Sequence, residues 1–284
     1  MGRVNVWGSL TEEDIVWELR GEIGAPASEA GVLPHDYRDS GSIKTNKGDR
    51  FLRGLEIHVL QFLNVATHLF HFGHIDAQFT HDGERFLRSI ITGDESWVHH
   101  YDPESKMQSM QYRHKNSPAP KKFKVVASAR KVLLTIFWDM EGIVHIEFLE
   151  QGTTINSERY VSTLRALKSR LRRVRQDKVK DVVIQHDNAR PHTSRQTQCA
   201  LQQLELPTIP HPTYSPDLAP SDFFLFPLLK KHLKGNHYET DAEVEANVRS
   251  WCRSQTPEFF ADGMRKLVQR WRLCIERDGD YVEK

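Results

Sequence analysis

The feature that most constrains this chain is a short apolar run, Val182-Val183-Ile184, that runs into His186-Asp187-Asn188-Ala189-Arg190-Pro191-His192. An apolar run of that length between polar stretches reads as a buried strand. An acid just beyond such a strand lies at the carboxyl end of a sheet, where α/β proteins place their ligand crevices. Thirty-four residues separate Asp187 from Asp222, the last residue of Tyr214-Ser215-Pro216-Asp217-Leu218-Ala219-Pro220-Ser221-Asp222. Upstream, Thr92-Gly93-Asp94-Glu95-Ser96-Trp97 supplies another acid at the edge of a strand-like run, with 92 residues between it and Asp187. Three carboxylates on separate elements of one α/β unit can converge on hard divalent cations, which take oxygen ligands. Taken singly, each acid also reads as a turn former or a helix cap, and Asp222 in a first helical turn suits the helix dipole. Asp217 reads as a turn residue. Glu95 faces the opposite side of a strand from Asp94 and is not counted as a ligand.

The pattern becomes regular from about Phe86. Residues 96–101, 107–113 and 132–138 read as strands, the last nearly continuous in apolar residues and so central. Residues 142–149 extend the meander. Between them, 116–131 reads as a long loop, and loops of that length inside a compact domain are usually functional. Ser157 begins a helix whose apolar Val161, Leu164, Leu167, Leu171 and Val174 share one face. Pro191 sits in the first turn of a helix that continues through Ala200, Leu201 and Leu204, with Asn188 as a cap. A short strand and turn occupies 207–212. Pro220 and Ser221 open a further helix. Thr240-Asp241-Ala242-Glu243 forms a capping box, and Pro257 opens the last helix. Trp97, Trp138, Trp251 and Trp271 sit in apolar contexts and read as core.

The formal net charge is only +1, but its distribution is uneven. No acid occurs from Ser105 to Trp138, where Lys115, Lys121, Lys122, Lys124 and Arg130 fall among eight basic residues; six more, without an acid, lie between Arg165 and Arg175. Such blocks either neutralise phosphates, giving salt-dependent nucleic-acid binding, or are solvated faces. Arg190 is a further candidate phosphate contact. Three widely spaced cysteines, no CxxC pair and no secretory signal suit a reducing nuclear or cytosolic setting. The most apolar stretch, 51–72, carries Glu56, His58, Gln61, Asn64, His68 and His71, which argues against a membrane span. A zinc site from His186, His192 and Cys199 needs a fourth ligand the sequence does not offer, and the His68, His71, His74 series lacks a Cys or acidic partner.

The motifs TGDESW, HDNARPH and YSPDLAPSD, in this order and spacing, resemble those of mariner-type transposases, and the likeness runs from about Phe86 to the C-terminus. The resemblance implies a ribonuclease-H-like α/β catalytic domain over 86–284, a central mixed sheet flanked by helices, and the order of elements suits it. It implies Asp94, Asp187 and Asp222 as catalytic and metal-holding residues for two Mg²⁺ or Mn²⁺ ions, Asp94 bridging them. The implied activity is DNA cleavage and strand transfer into TA sites, by a nuclear homodimer bound to the element's terminal inverted repeats. The 116–131 loop falls where the family has a clamp loop reaching the partner subunit. Residues 1–85 depart from the pattern. The family carries two helix-turn-helix units there, and Val32-Leu33-Pro34-His35-Asp36 only faintly echoes its linker motif; Thr11 reads as a helix cap and 24–50 as loop. The alternative is a domesticated or decayed descendant that binds DNA without transposing it. A relative of this domain fused to a histone methyltransferase carries asparagine at the last acid, whereas Asp222 is kept here, and no methyltransferase motif is visible.

Overall fold

The computed structural model describes residues 73, 79–103, 128, 130–150 and 152–282, all within one compact unit, Phe51–Lys284. The readings made over 1–72, the strand at 107–113, most of the 116–131 loop, and Lys115, Lys121, Lys122 and Lys124 lie outside the described residues.

A short helix α1 (Glu84–Ser89) leads into β1 (Ile90–His99), followed by β2 (Lys131–Asp139) and β3 (Gly142–Leu149). Helix α2 (Ser157–Val174) crosses to β4 (Val183–Gln185), and α3 (Arg190–Thr193) and α4 (Arg195–Gln203) follow. The chain ends in α5 (Phe226–Leu233), α6 (Asp241–Ser254) and α7 (Pro257–Glu276). The four strands form one mixed sheet in the order β3-β2-β1-β4. β1–β2 and β2–β3 pair antiparallel, and β1–β4 pair parallel.

Helices cover both faces, as the alternation of side chains along β1 requires. Ile90 and Val98 face one core, with Leu134, Ile136 and Trp138 of β2 and the apolar faces of α5, α6 and α7. Ile91 faces the other, with Phe137, Val144, Ile184 and the α2 stripe Tyr160, Leu164, Leu167 and Leu171. Asn156 caps α2 by accepting from the Arg159 N–H at 2.8 Å. Thr240 and Thr256 cap α6 and α7 in the same way, and Glu243 accepts from the Glu239 N–H at 2.9 Å, one residue before the N–H that the predicted box would reach. Among the described residues no helix is long and apolar enough to cross a membrane.

Four expectations need correction. β1 begins at Ile90, not residue 96, so Asp94 stands inside a strand rather than at its edge. A Cβ at Gly93 would fall 2.1 Å from the Phe137 ring, so glycine is what lets that ring lie across the strand. The helix after Pro191 is interrupted at Ser194, whose ψ of 147° is extended and whose hydroxyl caps the restarted helix at Thr197. Residues 207–212 reduce to one parallel bridge, Ile184 to Thr208. Trp97 is 44 % exposed, with the Lys131 ammonium 4.0 Å from its ring centre, whereas Trp138 and Trp271 are core as expected.

Candidate active site

The sheet register brings the first two acids level. β1 and β4 run parallel with Thr92 opposite Gln185, and two residues further along each chain stand Asp94 and Asp187. Asp94 projects from the same face as Ile90 and Val98, toward the layer that carries Asp222. Its Oδ1 accepts from the Glu95 N–H at 2.6 Å.

Asp222 arrives from the opposite layer on a π-helical turn, Ser221–Leu225, which runs directly into α5. Three contacts hold that turn. The buried Trp138 indole donates to Ser221 Oγ at 3.1 Å. Gln185 Nε2 donates to the Leu218 carbonyl at 3.0 Å, tying the end of β4 to the loop before Asp222. Gly263 of α7 lets Phe224 and Trp138 approach, since a Cβ there would fall 2.5 Å from Phe224 and 2.9 Å from Trp138. Asp217 shapes this loop as expected, in a single 3₁₀ turn, Pro216–Leu218. Its carbonyl accepts from Arg270 and its Oδ2 from the Val282 N–H, both at 2.8 Å.

The electrostatics of the three acids differ. Burial, then the neighbouring Asp222 and Glu95 charges, push the Asp94 carboxyl well above its ordinary range. Burial also raises Asp222, while a hydrogen bond with Asp94 pulls the other way. Both carboxyls are thus harder to ionise than an isolated one, Asp94 the more so. Asp187 also loses solvation, but a hydrogen bond from His192 and one from the Ala189 N–H outweigh that and hold it below the usual range. Among the described residues no group of three or more His, Cys, Asp or Glu side chains is placed to hold a metal ion. The three acids stand near enough to interact electrostatically but do not form a cage.

Behind Asp187 lies a group that sequence reasoning missed. His192 Nδ1 is 2.6 Å from Asp187 Oδ1, and its Nε2 is 3.4 Å from Glu95 Oε2. The His192 ring packs on Tyr160 with centres 4.0 Å apart, and the Tyr160 hydroxyl bonds His186 Nδ1 at 2.8 Å. Glu95 does face away from Asp94, as expected, but toward the imidazole that holds Asp187. Its adjacency to Asp94 and the second histidine of HDNARPH were the available signals. A zinc site from His186, His192 and Cys199 does not form: both rings are engaged, and Cys199 is exposed. Asn188 does not cap a helix; its amide donates to the His211 carbonyl. Arg190 is exposed at the start of α3. Arg130 has protein partners, donating to the Glu239 carbonyl at 2.9 Å and standing 3.8 Å from Asp241.

A mixed four-stranded sheet covered on both faces, with acids from β1, the end of β4 and the turn into α5 converging on one edge, defines a ribonuclease-H-like domain of the three-carboxylate type. Residues 102–181 match a family model described as "Transposase (partial DDE domain)". The chain is 34 % identical over 201 residues to the Mariner Mos1 transposase of Drosophila mauritiana, covering 70 % of this chain and 57 % of that protein. It is 35 % identical over 203 residues to human histone-lysine N-methyltransferase SETMAR, covering 70 % of this chain and 29 % of that one. The chain therefore spans little more than half of one curated relative and under a third of the other. Among solved structures, the Mos1 mariner paired-end complex with Mn matches with TM-score 0.70 at 28 % identity, over 96 % of this chain and 72 % of that one. The Mos1 catalytic domain with raltegravir and Mn matches with TM-score 0.63 at 28 % identity, over 77 % and 96 % respectively. The chain belongs to the mariner family of transposases.

Proposed function

We propose that this chain cleaves DNA strands and transfers them to new sites, with Asp94, Asp187 and Asp222 as its catalytic and metal-holding residues. The observation that carries this reading is the approach of three acids from separate elements: the Asp94 carboxyl is raised by burial and by the Asp222, Glu95 and Asp187 charges, and Asp187 is anchored by His192 and the Ala189 N–H. Carboxylates gathered where burial and mutual repulsion oppose ionisation cost stability and are relieved by cations. The donor set is all oxygen, which fits Mg²⁺ or Mn²⁺ and not a thiolate-seeking metal. Bound there, two such ions would neutralise charge on the scissile phosphate and activate the attacking oxygen. The chain's own part is to hold the acids: Asp94 on a central strand, Asp187 through His192 and the Ala189 N–H, Asp222 through Ser221 and Trp138.

The substrate follows from the relatives. The Mos1 structures are paired-end, pre-cleavage and strand-transfer complexes, one with a left transposon end. By the same reading this chain acts in the nucleus as a homodimer on terminal inverted repeats and inserts at TA sites, with Lys115, Lys121, Lys122, Lys124, Arg130 and Arg190 as DNA contacts. The catalytic domain is proposed over 86–284, with 1–85 a separate N-terminal region, although Phe79 packs against the larger core and Glu84 pairs with Arg265 at 3.0 Å.

The test is nicking of supercoiled plasmid with Mg²⁺ or Mn²⁺, the natural chain beside Asp222→Ala. Metal-dependent nicking that the substitution removes supports the reading. DNA binding without nicking by the folded, metal-supplied chain sinks it and leaves a DNA-binding descendant.

A further inference from the structure

We propose that His192, seated on Glu95, is a positioning residue that holds the Asp187 carboxylate in the orientation in which it takes a divalent cation. This rests on the three-acid reading above and adds to it two residues that touch neither substrate nor ion.

Two bonds fix Asp187, and both fall on the same oxygen. His192 Nδ1 at 2.6 Å and the Ala189 N–H at 3.0 Å both reach Oδ1. Oδ2 takes no hydrogen bond among the described residues, which leaves it as the oxygen for a cation. A carboxylate anchored through one oxygen is oriented through the other, and such outer partners of metal ligands commonly set metal affinity.

The imidazole is itself immobilised. His192 is 1 % exposed, its ring lies between Tyr160 and His186 at centre distances of 4.0 and 5.1 Å, and its Nε2 faces Glu95 Oε2 at 3.4 Å. Glu95 has no comparable reason to be where it is. Its Oε1 is buried without a hydrogen-bond partner among the described residues, a cost that an apolar residue would avoid. Its ion-pair partner is His192, so its contribution is to orient that ring. The strand arranges this economically: consecutive residues of β1 point to opposite faces, so Asp94 enters the acid cluster directly while Glu95 reaches it from behind, through His192.

The test is Mn²⁺ binding to the full chain without DNA, read by electron paramagnetic resonance of the free ion, with thermal melting alongside. The natural chain is compared with Asp187→Ala, His192→Gln, His192→Asn and Glu95→Ala. An asparagine amide lies near the Nδ1 position and keeps the bond to Asp187; a glutamine amide lies near Nε2 and loses it. His192→Gln and Glu95→Ala should weaken Mn²⁺ binding by roughly 10- to 100-fold while the chain stays folded, and His192→Asn should retain most of it. A purely structural role would lower the melting temperature of all three without separating the two amides. If Asp187→Ala loses Mn²⁺ while His192→Gln and Glu95→Ala bind as the natural chain does, the positioning role is wrong and the three-acid site stands. If the natural chain binds no Mn²⁺, or Asp187→Ala binds equally well, the three-acid reading falls and this inference with it. Should His192→Gln fail to fold, the partly exposed Glu95 decides through Glu95→Ala.

Discussion

Trp138 donates its indole N–H to the Ser221 hydroxyl across 3.1 Å, inside a core where neither residue reaches solvent. This bond fastens the central strand β2 to the turn that presents Asp222, one residue further on. Removing either partner strands the other as a buried polar group, which costs about 1–3 kcal/mol. Trp138→Phe and Ser221→Ala should each lower the melting temperature and the nicking rate. The double substitution should cost clearly less than the two losses added together, because the second change removes the group the first left unpaired. Additive losses in a double-mutant cycle would show that the bond does not couple strand and turn.

Asp94→Asn should make the metal-free chain more stable and inactive at once. The asparagine keeps the shape, can accept from the Glu95 N–H as Asp94 does, and can donate to Asp222. It removes a carboxyl that burial and its neighbours hold well above its ordinary range. A group raised in this way penalises the folded state once the pH exceeds the ordinary carboxylate range, because the unfolded chain ionises freely. Melting in EDTA at neutral pH should therefore rise by a few degrees, the size of a ~1 kcal/mol change in a domain this large. Added Mn²⁺ should raise the natural chain's melting point and leave that of the variant nearly unchanged. A variant less stable in EDTA would contradict the repulsion argued for this site.

How much of this was legible in the sequence depended on whether the signal was local. β2, β3, α2 and the capped starts of α6 and α7 follow from periodicity and caps held within a few residues, and they stand as read. β1 did not, because Gly93 and Asp94 carry no strand signal of their own; what keeps the strand intact is the Phe137 ring lying over Gly93 from the neighbouring strand. The break at Ser194 was hidden because its neighbours are ordinary helix formers, and only a hydroxyl aimed at the Thr197 N–H marks it. The three acids read as a set through motif order and spacing. The histidine behind Asp187 was not legible, because its meaning depends on Glu95, which reaches it through the fold rather than along the chain.

The metal-free chain should be most stable near pH 6.5 as far as the two buried imidazoles decide it. Burial opposes charge on His192, but the bond with Asp187 and the contact with Glu95 outweigh it, and its pKa is pushed up to about 9. The folded chain then holds this proton more tightly than the unfolded one, so the stabilisation is complete below the ordinary imidazole value of 6.5 and is lost as the pH rises through 9. His186 behaves oppositely. Burial, helped by the His192 charge, drops it to about 3, so its neutral form costs stability progressively as the pH falls from 6.5 toward 3. Each contribution is at most a few kcal/mol. Urea unfolding in EDTA across pH 5–10 should show a decline above neutrality that His192→Asn flattens. An unchanged alkaline slope in that variant would assign the decline to other groups.

Two glycines should prove costly to replace for opposite parts of the same site. At Gly263 an added Cβ meets Phe224 at 2.5 Å and Trp138 at 2.9 Å; at Gly93 it meets three atoms of the Phe137 ring at 2.1 to 2.8 Å. Both clashes are against buried rings that have no free space to swing into, so the backbone must give, at a cost of about 1–3 kcal/mol or more. The consequences for chemistry differ. Gly263→Ala presses on the turn that carries Asp222, so nicking should fall more than melting does. Gly93→Ala opens the β1–β2 pairing beside Asp94, so melting should fall furthest and Mn²⁺ affinity with it. Gly152→Ala is the control: nothing lies within 4 Å of its added Cβ, and its only penalty is a φ of +80°, so it should lower melting slightly and leave the nicking rate unchanged. If Gly263→Ala melts and nicks as Gly152→Ala does, α7 does not hold the Asp222 turn in place.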